Sequence, residues 1–269
     1  MSERPPVGDR PHDEEGPTGP LDVDLLERRG LSLVIPAYNE ERSIERMVEA
    51  AHEAGRDLAG LGEIDEFEIV VVDDASTDDT GRICDELEAS DPRFRVLHHE
   101  VNRKLGGSLR TGLAAARGRW VLYTDADLPF DLWDLRKAFR LMRTYDADIV
   151  TAFRFSRTGE GLRRLVYSYV YNTMVRVRFG LKVRDVNFAA KLMRREVVDA
   201  VQLSSEGSFI DAELLIRAER AGFRVIQFGV DYFPRTRGVS TLSSVEVIRT
   251  LLREMKALGP ELDRGSGRS

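Results

Sequence analysis

The chain has 269 residues, 42% hydrophobic and 32% charged, a globular balance that excludes collagen, coiled coil and wholesale disorder. Its 40 basic and 46 acidic residues leave a net charge of −6, which argues against general nucleic-acid binding. The apolar runs are strand-sized rather than membrane-spanning, and the one cysteine, Cys84, forbids an internal disulfide or a multi-cysteine metal site.

Residues 1–20 carry five Pro and three Gly, too little apolar surface to offset ordering entropy. A disordered or loosely ordered tail over 1–30 is expected, with a short helical lead-in, DVDLLERR. The start lacks the apolar core of a secretory signal, so a cytoplasmic location is expected. LSLVIP (31–36) then reads as a strand. In the helix that follows, Ile44, Met47, Val48 and Ala51 recur at helical spacing, with Asn39 placed as the N-cap. FEIVVVDD (67–74) is a continuous apolar strand of the kind buried on both faces of a parallel sheet.

The alternation continues through STDDTGRICDELEA (helix), FRVLHH (strand), and KLGGSLRTGLAAARG, a helix ending at Gly118. WVLYTDAD is a strand, DLWDLRKAFRLMRTY a helix capped by Asp131 or Asp134, and ADIVTAF a strand. GLRRLVYSYVYNTMVRVRFG (161–180) is an amphipathic helix or helix pair. DVNFAAKLMRR includes a strand, FIDAELLIRAERAG is a helix and FRVIQFGVDYF a strand. A last helix follows Ser243 as N-cap. The fold class expected is α/β, a mostly parallel sheet with helices on both faces and an irregular C-terminal part. One domain over 31–259 is expected, with a flexible end at 260–269.

Ligands of open parallel sheets sit at the carboxyl ends of the strands. Three predicted strands end in functional groups there: LSLVIPAYNE, IVVVDDAST and VLYTDAD. Pro36 and Tyr38 can wall a pocket, and Glu40, Asp73 and Asp74 can accept from a base and ribose. Asp125 and Asp127 can aim two carboxylates at one hard cation, Mg²⁺ or Mn²⁺. Other templates fail. LGGSLRTG fits neither the dinucleotide-binding nor the P-loop spacing, and no G-x-S-x-G elbow appears. The four histidines make no zinc pattern, His98 and His99 read as loop residues, and Cys84 reads as a small core residue.

VIPAYNE, VVDDASTDDT, LGGSLRTG and YTDADL, in that order, resemble the family 2 glycosyltransferases of the GT-A fold. AFR, RRLVYSYVYN, RDVNFAAKLMRR, FIDAELLIRA and RTRGVSTL further resemble dolichyl- and polyprenyl-phosphate mannosyltransferases and glucosyltransferases. The resemblance implies that Pro36, Tyr38, Glu40, Val72 and Asp74 hold the nucleotide. It implies that Asp125, Ala126 and Asp127 meet the diphosphate and metal, and that Arg235 binds the donor. Arg154, Arg164 and Ser168 would receive the acceptor phosphate. Two departures are visible: Pro129 replaces a Gln that would be a third metal ligand, and Thr241 replaces a Lys.

The implied activity is a metal-dependent, inverting transfer of mannose or glucose from a nucleotide sugar (of GDP-mannose or UDP-glucose type) to a polyprenyl phosphate. Residues 154–195 carry a net charge of +9, and Arg154, Arg163 and Arg164 can grip a phosphate through planar donors. Leu162, Leu165, Val166, Tyr169, Val170, Thr173 and Met174 can form an apolar stripe at a membrane surface, which allows peripheral contact with the cytoplasmic face. A hydroxyl acceptor would need a base, for which Asp211 and Glu213 are the candidates. The rival readings are a transferase to a sugar or small-molecule hydroxyl and a non-catalytic nucleotide-sugar or polyanion binder.

Overall fold

The computed structural model describes residues 20–155, 162–231 and 245–264. Helix α1 (Val23–Arg29) opens on Asp22, whose carboxylate accepts from the Leu25 N–H, and it buries Leu26. The lead-in is therefore part of the domain, and the loose tail expected over 1–30 does not extend to it. Strand and helix then alternate: β1 (Gly30–Ala37), α2 (Ile44–Gly60), β2 (Glu66–Asp73), α3 (Thr80–Ser90), β3 (Phe94–His98), α4 (Lys104–Ala115) and β4 (Trp120–Thr124). A 3-10 turn (Leu132–Asp134), capped by Asp131, leads into α5 (Leu135–Thr144) and β5 (Ile149–Arg154). The remainder is α6 (Leu162–Phe179), β6 (Ala190–Arg194), α7 (Arg195–Ala200), α8 (Ile210–Arg220), β7 (Val225–Val230) and α9 (Val245–Arg264).

The seven strands form one sheet in the order β3-β2-β1-β4-β6-β5-β7. Strand β6 runs antiparallel to both β4 and β5; every other pairing is parallel. Side chains alternate between two cores, as the two-residue period of a strand requires. Leu33, Ile35, Ile69 and Val71 pack with Met47 of α2 and Phe139 of α5. Val34, Val121 and Tyr123 pack on the other face with Leu109 of α4 and Leu214 of α8.

Several local expectations are corrected. Ser43, not Asn39, stands at the N-cap of α2; Asn39 adopts a left-handed φ of 57° and accepts from the Thr77 N–H at 2.8 Å, tying two loops together. Helix α4 stops at Ala115, because the N–H groups of Arg117 and Gly118 turn to the Ser32 hydroxyl at 3.2 and 2.7 Å. The segment after β5 is a single helix, and α9 runs through Pro260 to Arg264 with Leu262 buried, past the expected boundary at 259. Helix α7 was not predicted, and Ser243 lies outside the described residues.

Candidate active site

The two ends of the parallel block differ in chemistry. At the amino end, Glu66 is clasped by Arg93 and Glu68 by Arg95, Ser32 and the Arg117 N–H, all buried or half-buried, so the polar groups there pair with one another. The carboxyl end is where β1, β2, β3 and β4 release their chains side by side, with Ala37 level with Asp73 and Asp73 level with His98.

From β1, Tyr38 projects with 48% of its surface exposed, and the Glu40 N–H donates to Thr80 Oγ1 at 2.8 Å. Pro36 is half-buried. Val72 is wholly buried inside the sheet between β1 and β3, so it forms the floor under Asp73–Asp74 rather than offering a group. The acids at the end of β2 are each met by a histidine. Nδ1 of His98 lies 2.9 Å from Asp73 Oδ2 and that of His99 lies 2.7 Å from Asp74 Oδ1. The two histidines read as loop residues are thus partners of the candidate nucleotide acids. Nothing within their own segment signals it, since the partners stand 25 residues upstream.

After β4 the chain turns through Asp125, buried Ala126 and Asp127, the two acids half-buried. Their charge is felt beneath them. Burial first, then Asp211, Asp125 and Asp127, hold the Tyr123 hydroxyl well above its ordinary pKa. Three carboxylates therefore act on the Tyr123 hydroxyl from around it. Among the described residues no group of three His, Cys, Asp or Glu could cage a metal by itself.

On the far side of β4 the acceptor candidates are built differently from expectation. The Arg154 guanidinium donates two bonds to Asp185, at 2.7 and 3.0 Å, and lies over the Phe188 ring. It is a buried, carboxylate-held cation rather than an exposed fork. Ser168 accepts from the Asn172 amide, one turn on in α6, through its carbonyl at 2.7 Å and its hydroxyl at 3.3 Å. Arg235 and Thr241 lie outside the described residues, as do the side chains of Arg163 and Arg164, whose backbone belongs to α6. In the expected stripe, Tyr169 (73% exposed) and Val170 (46%) face outward, while the side chains of Leu162, Leu165 and Val166 lie outside the described residues.

Asp211 and Glu213 are both buried, so neither is a surface carboxylate of α8. Glu213 accepts from the Ser204 and Ser205 N–H groups, the Ser204 hydroxyl and Arg217. Burial opposes its charge, but these bonds hold its pKa below the ordinary value, and a carboxylate so saturated is a poor base. Asp211 instead meets Lys191, from β6, at 2.5 Å. Lys191 is fully buried, also donates to the Phe188 carbonyl at 2.8 Å and sits over the Tyr123 ring. Burial pushes the Asp211 carboxyl up despite Lys191. Lys191 carries no signal in the sequence, because an apolar strand gives no sign of the acid it will meet 20 residues later.

A sequence profile described as Glycosyl transferase family 2 matches residues 32–202. Polyprenol monophosphomannose synthase of Mycolicibacterium smegmatis is 30% identical over 249 residues, covering 87% of this chain and 89% of that protein. Glycosyltransferase AglD of Haloferax volcanii is 35% identical over 227 residues, covering 82% of this chain, which spans only 35% of its length. Among solved structures, glucosyl-3-phosphoglycerate synthase from Mycobacterium tuberculosis, in complex with Mn²⁺, UDP-glucose and phosphoglyceric acid, superposes with a TM-score of 0.61 at 26% identity, over 87% of this chain and 84% of that one. With the strand-end acids in place and the family profile spanning β1 to β6, the chain belongs to glycosyltransferase family 2 and is a glycosyltransferase of the GT-A fold.

Proposed function

We propose that this glycosyltransferase moves a hexose from a nucleotide sugar to a polyprenyl phosphate. The observation that carries the reading is the alignment of Asp74, Tyr38 and the Asp125–Asp127 turn along one carboxyl edge of adjacent parallel strands. Asp74 and Tyr38 then meet the nucleoside, and the turn after β4 meets the diphosphate. Similarity over nearly the whole length of a polyprenol-phosphate enzyme supports the lipid acceptor.

Asp125 and Asp127 fit a divalent cation. They are hard oxygen donors one residue apart, in a region negative enough to act on Tyr123. Since among the described residues no three acids form a metal cage, diphosphate oxygens and water would fill the remaining positions, as Mg²⁺ or Mn²⁺ prefers. When bound, the ion supplies charge stabilisation to the leaving diphosphate. Arg235 is assigned to the donor by the family pattern. On the acceptor side, Arg164 and Ser168 stand four residues apart on α6, on one helix face, and would take the phosphate. Arg154, its charge balanced by Asp185, would line the acceptor side.

A lipid monophosphate is anionic near neutral pH and needs no strong base, which agrees with the saturation of Glu213 and the ion pairing of Asp211. The outward Tyr169, Val170 and Val177 of α6, beside Arg176 and Arg178, suit contact with an anionic membrane surface, and among the described residues no helix is long and apolar enough to cross one. A second reading takes Asp211 as a base. Burial pushes its carboxyl up even beside Lys191, a direction that would serve deprotonation of a hydroxyl substrate.

Product formation from a panel of nucleotide sugars, with polyprenyl phosphate or simple sugars as acceptors, separates the two. Transfer to the lipid phosphate should require Mg²⁺ or Mn²⁺ and vanish in a folded Asp127→Ala variant. Asp211→Asn should lower it only modestly. A loss of ~10²–10⁴-fold in Asp211→Asn, with transfer to a hydroxyl, moves the assignment to the second reading. Full turnover in excess chelator overturns the metal assignment.

A further inference from the structure

We infer that the nucleobase site accepts uracil rather than guanine, so that the donor is a UDP-sugar, and that His99 is the positioning residue behind the choice. The inference rests on the nucleotide-sugar reading above, and its argument is a count of acceptor positions at the end of β2. Asp73 has a protein partner on each oxygen: Oδ1 accepts from the Ser76 N–H at 3.1 Å and Oδ2 pairs with His98. Asp74 is filled on one side only. Its Oδ1 accepts from His99 Nδ1 at 2.7 Å and from the Arg103 N–H at 2.8 Å, while Oδ2 receives no hydrogen bond from the described residues.

The His99 ring is fixed at its other nitrogen as well. Nε2 lies 2.9 Å from Thr111 Oγ1 on α4. Because a carboxylate only accepts, Nδ1 carries a proton, and the Thr111 hydroxyl holds Nε2 in place. The side chains of His99 and Asp74 are 7% and 4% exposed, so the pair is wedged and Oδ1 cannot turn outward.

A carboxylate oxygen offers about two lone-pair sites, and both on Oδ1 are in use. The Watson–Crick edge of guanine presents two adjacent donors, N1–H and N2–H, which need both oxygens of one carboxylate. That of uracil presents a single donor, N3–H, between two carbonyl acceptors. One open oxygen matches uracil. With guanine it leaves a second donor dehydrated and unpaired, at the cost of that donor's desolvation.

The test is calorimetry of UDP and GDP binding to the full chain with Mn²⁺ present. UDP should bind at least ~10-fold more tightly than GDP. His99→Leu frees a lone pair on Oδ1 and should draw that ratio towards one. His99→Asn, whose amide can replace the Nδ1–H donor, should preserve it. If His99→Leu weakens both nucleotides alike and leaves the ratio unchanged, the positioning role of His99 is rejected. GDP binding to the wild type as tightly as UDP overturns the preference for uracil and leaves the nucleotide-sugar reading standing. Binding of neither overturns that reading itself, and the inference with it.

Discussion

Single side chains at the strand ends divide into those that neighbours hold and those turned to a ligand, and His98 belongs to the first kind. Burial lowers its pKa, but hydrogen bonds to Asp73 and Asp85, and their charges, prevail and leave it raised above 6.5. A histidine with a raised folded pKa adds stability that is complete below its unfolded value and is lost as pH climbs through the folded one. Asp85→Asn should therefore be less stable than wild type in urea at about pH 6 and far closer to it at about pH 9. A deficit that does not change with pH would rule the pairing out. At this scale the acids were legible and their partners were not. Asp74, Asp125 and Asp127 stand out because each follows a recognisable strand. His99, Lys191 and Asp185 draw their meaning from side chains that only the folded sheet brings near.

Among the elements, α4 packs by close backbone approach. Its Gly106 N–H donates to the Glu206 carbonyl at 2.8 Å, and a Cβ on Gly106 would strike the Ser205 carbonyl and the Glu206 backbone. The same loop is held by Glu213 of α8, and its Glu206 and Gly207 N–H groups donate to Glu254 of α9. Three helices thus fix the segment leading to Asp211. Gly106→Ala should cost about 1–3 kcal/mol, because backbone rather than a flexible side chain must yield. Denaturant unfolding measures this, and a variant as stable as wild type would mean that α4 slides off the loop freely. The alternation of strands and helices was readable from periodicity, which is why β1 to β5 fall where expected. Periodicity carries no information on strand direction, so it did not reveal that β6 runs backwards. Nor did it show that Asn39, an ordinary cap residue by type, would take a left-handed turn.

Across the whole molecule, one sheet serves two cores, so opening either face strips cover from the same strands. Cys84 reports on this. It is fully buried, and burial, helped by Asp73, Asp85 and Glu88, pushes its thiol up to about 12. The native protein should resist thiol reagents at about pH 8, and labelling in denaturant should follow the loss of helical circular dichroism with the same midpoint. Labelling well before that midpoint would show that the face under α2, α3 and α5 opens alone.

The reversed strand also sets an order of assembly. Strands β1 to β4 lie within residues 30–124, and β2, β3 and β4 each have a partner already made when they emerge. Strand β4 waits for β6, whose last residue, Arg194, pairs with Trp120. At ribosomal speeds of ~5–20 residues per second, the intervening stretch takes roughly 4–14 s to synthesise. For that interval the nascent amino-terminal half has an open, apolar strand edge, where chaperone binding or misassociation with another chain would concentrate.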